Sequence, residues 1–174
     1  LLPGAGGTQR LPRIIGAQEA LQYLTTGKNM RAAKAKQMGV VHDTASAADV
    51  VDVAIKAIED GQVSAKAPWG ENSFRLPAPR PGSSMWQQVF AGGGAMLRKQ
   101  TKGNYPAPQR IMACVYHGLQ MPFDKALSFE GRQFTTLFMG DVARAMIRTL
   151  WFGRNSANKL EKRPAGIPDT EFTK

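Results

Sequence analysis

The sequence predicts a mainly α-helical protein with little or no sheet. Three observations carry this expectation. Apolar residues recur at helical spacing in one segment after another. Glycines and capping residues stand where those segments stop or start. The only stretch that reads as a strand is brief, Val40-Val41-His42.

The chain opens on Pro3-Gly4-Ala5-Gly6-Gly7-Thr8-Gln9-Arg10-Leu11-Pro12, a glycine-rich turn entering a helix expected over residues 6–15. The first N–H groups of a helix have no partner inside it, and the positive end of its dipole attracts an anion. The turn reads either as a packing turn or as a ligand cradle, and spacing alone favours packing. Gly16 stops this helix, and a second is expected over 17–26. There Ala17, Ala20, Leu21 and Leu24 share one face, and Gly27 closes the end. A short third helix, 31–38, stops at Gly39. A fourth follows Ser46, with Asp49 placed as in a capping box. Its apolar stripe is Val50, Val53, Ala54, Ala57 and Ile58, and Gly61 closes it.

Residues 63–83 hold Pro68, Pro77, Pro79 and Pro81 and exclude regular structure. Trp69, Phe74 and Leu76 predict that this strap lies along a surface. A helix is expected over 84–102, although Gly92-Gly93-Gly94 costs roughly 1 kcal/mol per glycine. Either it breaks there or another backbone packs closely on it. Next comes a helix over 106–121, with Ile111, Cys114, Val115 and Leu119 as its apolar face. Asp124 is expected to cap a helix reaching residue 139, with Leu127, Phe134, Leu137 and Phe138 apolar. Asp141 is expected to cap a last helix, 142–156, burying Val142, Ala145, Met146, Thr149, Leu150 and Phe152.

Composition bounds the function. A chain of 174 residues is long enough for one domain. No apolar run is long enough to span a bilayer, and Leu1-Leu2 lacks the charged start of a signal peptide. One cysteine, Cys114, excludes an internal disulfide framework and reads as a small buried hydrophobe. His42 and His117 have no companions at metal-ligand spacing and read as structural or surface groups. The net charge of +10 admits a non-enzymatic basic helical interaction or nucleic-acid-binding module as the alternative function. The cations are scattered, however, apart from Arg98-Lys99 with Lys102 and the group Lys159, Lys162 and Arg163. Aromatics do not alternate with them as on a stacking platform.

The opening turn closely resembles the PGAGGTQRLPR segment of the enoyl-CoA hydratase/isomerase (crotonase) family, in the version found in multifunctional fatty-acid β-oxidation proteins. Further matches follow in the family's order: Ala20-Leu21, Leu24-Thr25-Thr26-Gly27 and Ala33-Lys34-Ala35-Lys36-Gln37-Met38-Gly39-Val40-Val41. The third helix departs from the family in carrying Ala32 and Ala33 where acidic residues are common. Arg98-Lys99-Gln100-Thr101-Lys102-Gly103-Asn104-Tyr105-Pro106-Ala107-Pro108 resembles the segment joining the hydratase to a 3-hydroxyacyl-CoA dehydrogenase. The helix that follows resembles the connector pattern "AL..E...F..L..S".

The resemblance implies an internal piece of a longer fatty-acid β-oxidation enzyme. Residues 1–62 would close the hydratase domain, 63–83 form a linker, 84–160 form connector helices, and 161–174 lead into the dehydrogenase. It implies hydration of 2-enoyl-CoA and NAD-linked oxidation of 3-hydroxyacyl-CoA by the parent. The family's two catalytic glutamates precede the PGAGG turn, so neither is carried over onto this chain. Glu19, Glu59 and Glu71 match no catalytic position and read as solvated surface. The dinucleotide turn is likewise not found here. No catalytic, cofactor or metal residue is therefore expected in this chain, with NAD left to the parent's dehydrogenase. What remains is a substrate-binding edge, Pro3, Gly4, Ala5 and Gly6, which borders the hydratase pocket in relatives. The chain alone is expected to catalyse neither reaction. Expected partners are the acyl-CoA substrate, the rest of the polypeptide, a thiolase subunit and further copies of the chain, with no nucleic acid. Self-association is expected because the first two helices normally pack on a sheet-bearing core. The expected compartment is the bacterial cytoplasm or the mitochondrial matrix.

Overall fold

The computed structural model describes residues 1–164 and 166. Among them every regular element is helical. Four helices precede the strap: α1 (Gly7–Ile15), α2 (Ala17–Thr26), α3 (Ala32–Gln37) and α4 (Val50–Glu59). After it come α5 (Ser84–Thr101), α6 (Pro106–Gly118), α7 (Phe123–Phe138), α8 (Asp141–Met146) and α9 (Arg154–Asn158). A π-helical stretch, Ile147–Gly153, joins the last two. The expected lead-in over 161–174 falls largely on residues 165 and 167–174, outside the described residues.

The core forms around α6, which packs on α1, α2, α5 and α7. Its predicted apolar face is the buried one: Ile111, Cys114, Val115 and Leu119 are all under a tenth exposed. Leu21 of α2, Trp86 of α5 and Leu137 of α7 close over that face. The expectation that the first two helices leave their apolar faces uncovered is thereby corrected. Ala17, Ala20 and Leu21 are buried, because α1 and α2 pack on α6.

Gly16 separates α1 from α2 with φ 85° and ψ 157°, outside the range of L side chains. The strap crosses at this point. A Cβ on Gly16 would stand 2.9 Å from the Ala78 carbonyl oxygen. The strap follows the surface as expected: Trp69 stacks on Phe123 with centroids 5.0 Å apart, Leu76 packs on the core, and Pro79 is buried. It is not wholly irregular, since Pro68–Gly70 forms one 3-10 turn started by the fixed φ of Pro68.

Several local expectations are corrected. Val40-Val41-His42 forms a bend, since the N–H groups of Val40 and Val41 turn back to the Ala35 carbonyl. At α4 the Ser46–Asp49 pair forms, with the Asp49 N–H donating to Ser46 Oγ at 3.3 Å. It closes a turn one step before the helix begins at Val50. The apolar stripe of α4 is not buried; Val50 and Ile58 are 50% and 66% exposed. The α5 helix runs unbroken through Gly92-Gly93-Gly94, and no backbone packs on them. Its start is capped by Ser83, whose Oγ accepts from the Trp86 N–H at 3.1 Å.

The two acidic caps shift inward by one or two positions. Pro122 precedes α7 and Gly140 precedes α8, so Asp124 and Asp141 lie in first turns, where they complement the dipole without a side-chain cap bond. In the last helical run only Ala143 is buried. Leu150, Trp151 and Phe152 are more than half exposed, because among the described residues no element covers their side. The predicted buried side of this run is thus solvent-facing.

Candidate functional site

The opening turn is held by a residue remote in sequence. Gly6 adopts φ 87° at the cap position of α1. Its N–H donates to Glu130 Oε1 at 2.6 Å, and the Thr8 N–H donates to Glu130 Oε2 at 3.0 Å. The Thr8 hydroxyl donates to the same oxygen. Glu130, on α7, is 1% exposed. The helix start does hold an anion, and the anion is the protein's own carboxylate. Such charge-assisted bonds are about twice as strong as neutral ones.

The far end of α1 makes the complementary contact. Arg13, 5% exposed, donates from Nη1 to the Gln9 carbonyl and Gln9 Oε1 at 2.9 and 3.0 Å. From Nη2 it donates to the carbonyls of Gly118 and Met121 at 2.9 and 3.4 Å. The Gly118 carbonyl ends α6, where a cation is favoured, and Met121 lies in the loop that follows. The guanidinium carbon also sits 5.2 Å from the Phe123 ring centroid. Burial pushes Arg13 down to about 10, so it stays charged at neutral pH. Gln9 completes the inner face, donating to the Cys114 carbonyl at 2.9 Å and to Thr8 Oγ1 at 3.0 Å.

The four predicted edge residues are thus placed. Pro3, Gly4 and Ala5 are exposed and Gly6 is buried. Gly4 lies against the Phe134 ring, and an added Cβ there would meet Cδ2 at 2.6 Å. The Ala5 carbonyl accepts from Arg10 Nη1. Two open grooves, of about 740 and 800 Å³, lie elsewhere on the surface, and none of the four residues lines either.

Cys114 is fully buried beside this network. Burial, with the Glu130 charge adding to it, pushes its thiol up to about 11. That thiol is inert at neutral pH, as its apolar surroundings in the sequence suggest. His117 packs edge-on to Tyr116 and against Phe129, a structural role. Among the described residues no group of three metal-ligating side chains forms, and no helix is long and apolar enough to cross a membrane.

Sequence reasoning gave Glu130 no role. The signal was present on α7: Ala126, Glu130, Phe134 and Leu137 fall at helical spacing, which puts one carboxylate on an apolar stripe. A charge on such a face needs partners. The glycine-rich turn supplies them.

Comparison with known proteins agrees with the opening turn. Residues 1–68 match the family model for enoyl-CoA hydratase/isomerase. Over 159 residues, 91% of the chain, it is 35% identical to the fatty acid oxidation complex subunit alpha of Vibrio vulnificus, covering 22% of that protein. Over 171 residues, 98% of the chain, it is 35% identical to the same subunit of Shewanella halifaxensis, covering 23% of it. The subunit of Vibrio parahaemolyticus is 33% identical over 170 residues, 96% of the chain and 24% of the relative. The chain thus spans under a quarter of the length of the curated relatives it matches. Its first 68 residues are thus similar to the enoyl-CoA hydratase/isomerase family, and nearly its whole length is similar to one segment of fatty acid oxidation complex alpha subunits.

Proposed function

We propose that this chain forms the closing helices of an enoyl-CoA hydratase unit together with the connector that follows it in a fatty-acid β-oxidation enzyme. The complete enzyme hydrates 2-enoyl-CoA and oxidises 3-hydroxyacyl-CoA with NAD. Within it, Pro3, Gly4, Ala5 and Gly6 border the acyl-CoA pocket. The observation that carries this reading is the collinear relation to fatty acid oxidation complex alpha subunits across both the turn and the connector.

The geometry supports a bordering role rather than a chemical one. Hydration of a conjugated thioester needs an acid and a base that reach one water. The carboxylate at this turn, Glu130, is buried and takes three hydrogen bonds from the protein itself. At 1% exposure it offers no surface to a substrate. The three exposed residues of the turn form its outer surface, where a ligand comes close to the backbone.

Two measurements test the proposal. The purified 174-residue chain should neither hydrate crotonyl-CoA nor reduce NAD with a 3-hydroxyacyl-CoA; measurable hydration would sink the assignment of the chemistry to residues outside it. A saturated acyl-CoA titrated into labelled chain should shift the amide resonances of Gly4 and Ala5. Shifts confined to other parts of the surface would remove these residues from the pocket edge.

A further inference from the structure

We propose that Glu130 is a positioning residue for the Pro3–Gly7 turn, so that helix α7 sets the backbone geometry of that turn. Calling the turn an acyl-CoA rim rests on the function proposed above; the positioning itself does not.

The turn has little to fix it locally. Gly4, Gly6 and Gly7 restrict the backbone least of all residues. Its defined shape must come from contacts outside the segment. Two donors at the helix start, the N–H groups of Gly6 and Thr8, converge on the two oxygens of one carboxylate, at 2.6 and 3.0 Å. That carboxylate comes from 124 residues away in the chain. The Thr8 hydroxyl adds a third bond to it. One helical turn further along α7, the Phe134 ring lies under Gly4. Leu127 Cδ2 would stand 3.0 Å from a Cβ on Gly6, so α7 grips the turn through one polar side chain and two apolar ones.

The grip has a direction. Burying a carboxylate is unfavourable unless it is well bonded, and its donors here lie at the positive end of α1. Removing the charge therefore does more than weaken α7 packing. It leaves the turn's own N–H groups without a partner and frees Gly6 and Gly7 to sample other angles. The other tie in the turn, Arg10 to the Ala5 carbonyl, comes from the same segment and moves with it. A shift of α7 is thereby transmitted to Gly4, Ala5 and Gly6.

The test compares wild-type chain with Glu130→Gln and Glu130→Ala by amide hydrogen exchange and resonance assignment. A Gln side chain keeps the shape but offers one acceptor oxygen in place of two. In Glu130→Gln the Gly6 or Thr8 amide should exchange about 10–100-fold faster, the range expected for losing a hydrogen bond to a charged group. Val115, in the centre of α6, should keep its wild-type protection. In Glu130→Ala, where it folds, both amides should lose protection. Wild-type exchange at both amides in Glu130→Gln overturns the proposal, and so does a loss of protection spread equally over Val115. A parallel titration with saturated acyl-CoA separates the two claims. If wild-type chain shows no shift at Gly4 and Ala5, the rim assignment fails while the exchange result still decides the positioning. If it does shift, Glu130→Gln should weaken acyl-CoA binding about tenfold or more.

Discussion

Raising the pH through the alkaline range should destabilise this protein through one buried thiol. Cys114 is fully buried, and its thiol is pushed from an ordinary value of 9.0 up to about 11, first by burial and then by the Glu130 charge. The sign follows from proton linkage. Between these two values the unfolded chain releases the thiol proton while the folded chain keeps it, so stability falls as pH rises. The contribution is complete below pH 9.0 and is spent above about 11. A shift of about two units at roughly 1.4 kcal/mol each gives a loss of about 3 kcal/mol. Lysines and tyrosines titrate in the same range, so the comparison must be differential. Urea unfolding of wild-type chain and Cys114→Ala, at steps from pH 8 to pH 11.5, cancels those common groups. The difference between the two proteins should be constant to pH 9 and then swing by about 3 kcal/mol in favour of the alanine variant. Thiolate absorbance of the folded protein should remain absent at pH 9.5. A flat difference, or a folded thiol that ionises below pH 9, would refute the claim that this side chain is shut away beside a carboxylate.

Three further outcomes are expected. Arg13→Lys keeps a charge but cannot reproduce a planar fork reaching Gln9, Gly118 and Met121; losing about two of these bonds and the contact with Phe123 should lower unfolding free energy by about 3–5 kcal/mol in urea melts. Gly16→Ala forces an L residue to φ 85° and sets its Cβ 2.9 Å from the Ala78 carbonyl oxygen. It should cost about 2–3 kcal/mol and speed proteolysis within residues 63–83, where unchanged cleavage would show that the strap is anchored elsewhere. The chain should self-associate through its exposed apolar helices. Trp151→Ser with Leu150→Ser should reduce the light-scattering mass, and a monodisperse wild-type monomer would contradict this.

Helix boundaries were legible where glycine ends them. The predicted limits of α2 match the structure because Gly16 and Gly27 both take positive φ. The buried face of α6 was legible because periodicity and burial coincide on a helix surrounded by others. The same reasoning failed for α4 and for the run after Asp141. Their apolar stripes are real, but a stripe states that a face is apolar and not that anything covers it. Glu130 failed in the opposite sense. A glutamate in a helix is solvated by default, and its burial depends on donors in a turn 122–124 residues away. Local pattern holds no record of such a pairing, save that the charge interrupts an apolar face.

The inner face of α1 explains why the turn and its helix are so recognisable in the sequence. Thr8, Gln9 and Arg13 are buried, while Leu11, Ile14 and Ile15 are only half-buried. That inverts the usual arrangement, because α1 packs against polar helix features as well as apolar sides. Its N-terminus needs an anion and meets Glu130; the end of α6 needs donors and meets Arg13. Between them, the buried Gln9 amide finds its acceptors in the Cys114 carbonyl and Thr8 Oγ1. Each role fixes a residue type more tightly than hydrophobic packing would, since a buried polar atom without its partner costs about 1–3 kcal/mol. The glycines at the turn admit close approach from Phe134 on one side, leaving Pro3, Gly4 and Ala5 exposed on the other. Most of the motif is therefore accounted for by what lies beneath it. Only its exposed edge is left for the proposed ligand contact, and Glu130 and Phe134 of α7 lie directly beneath that edge.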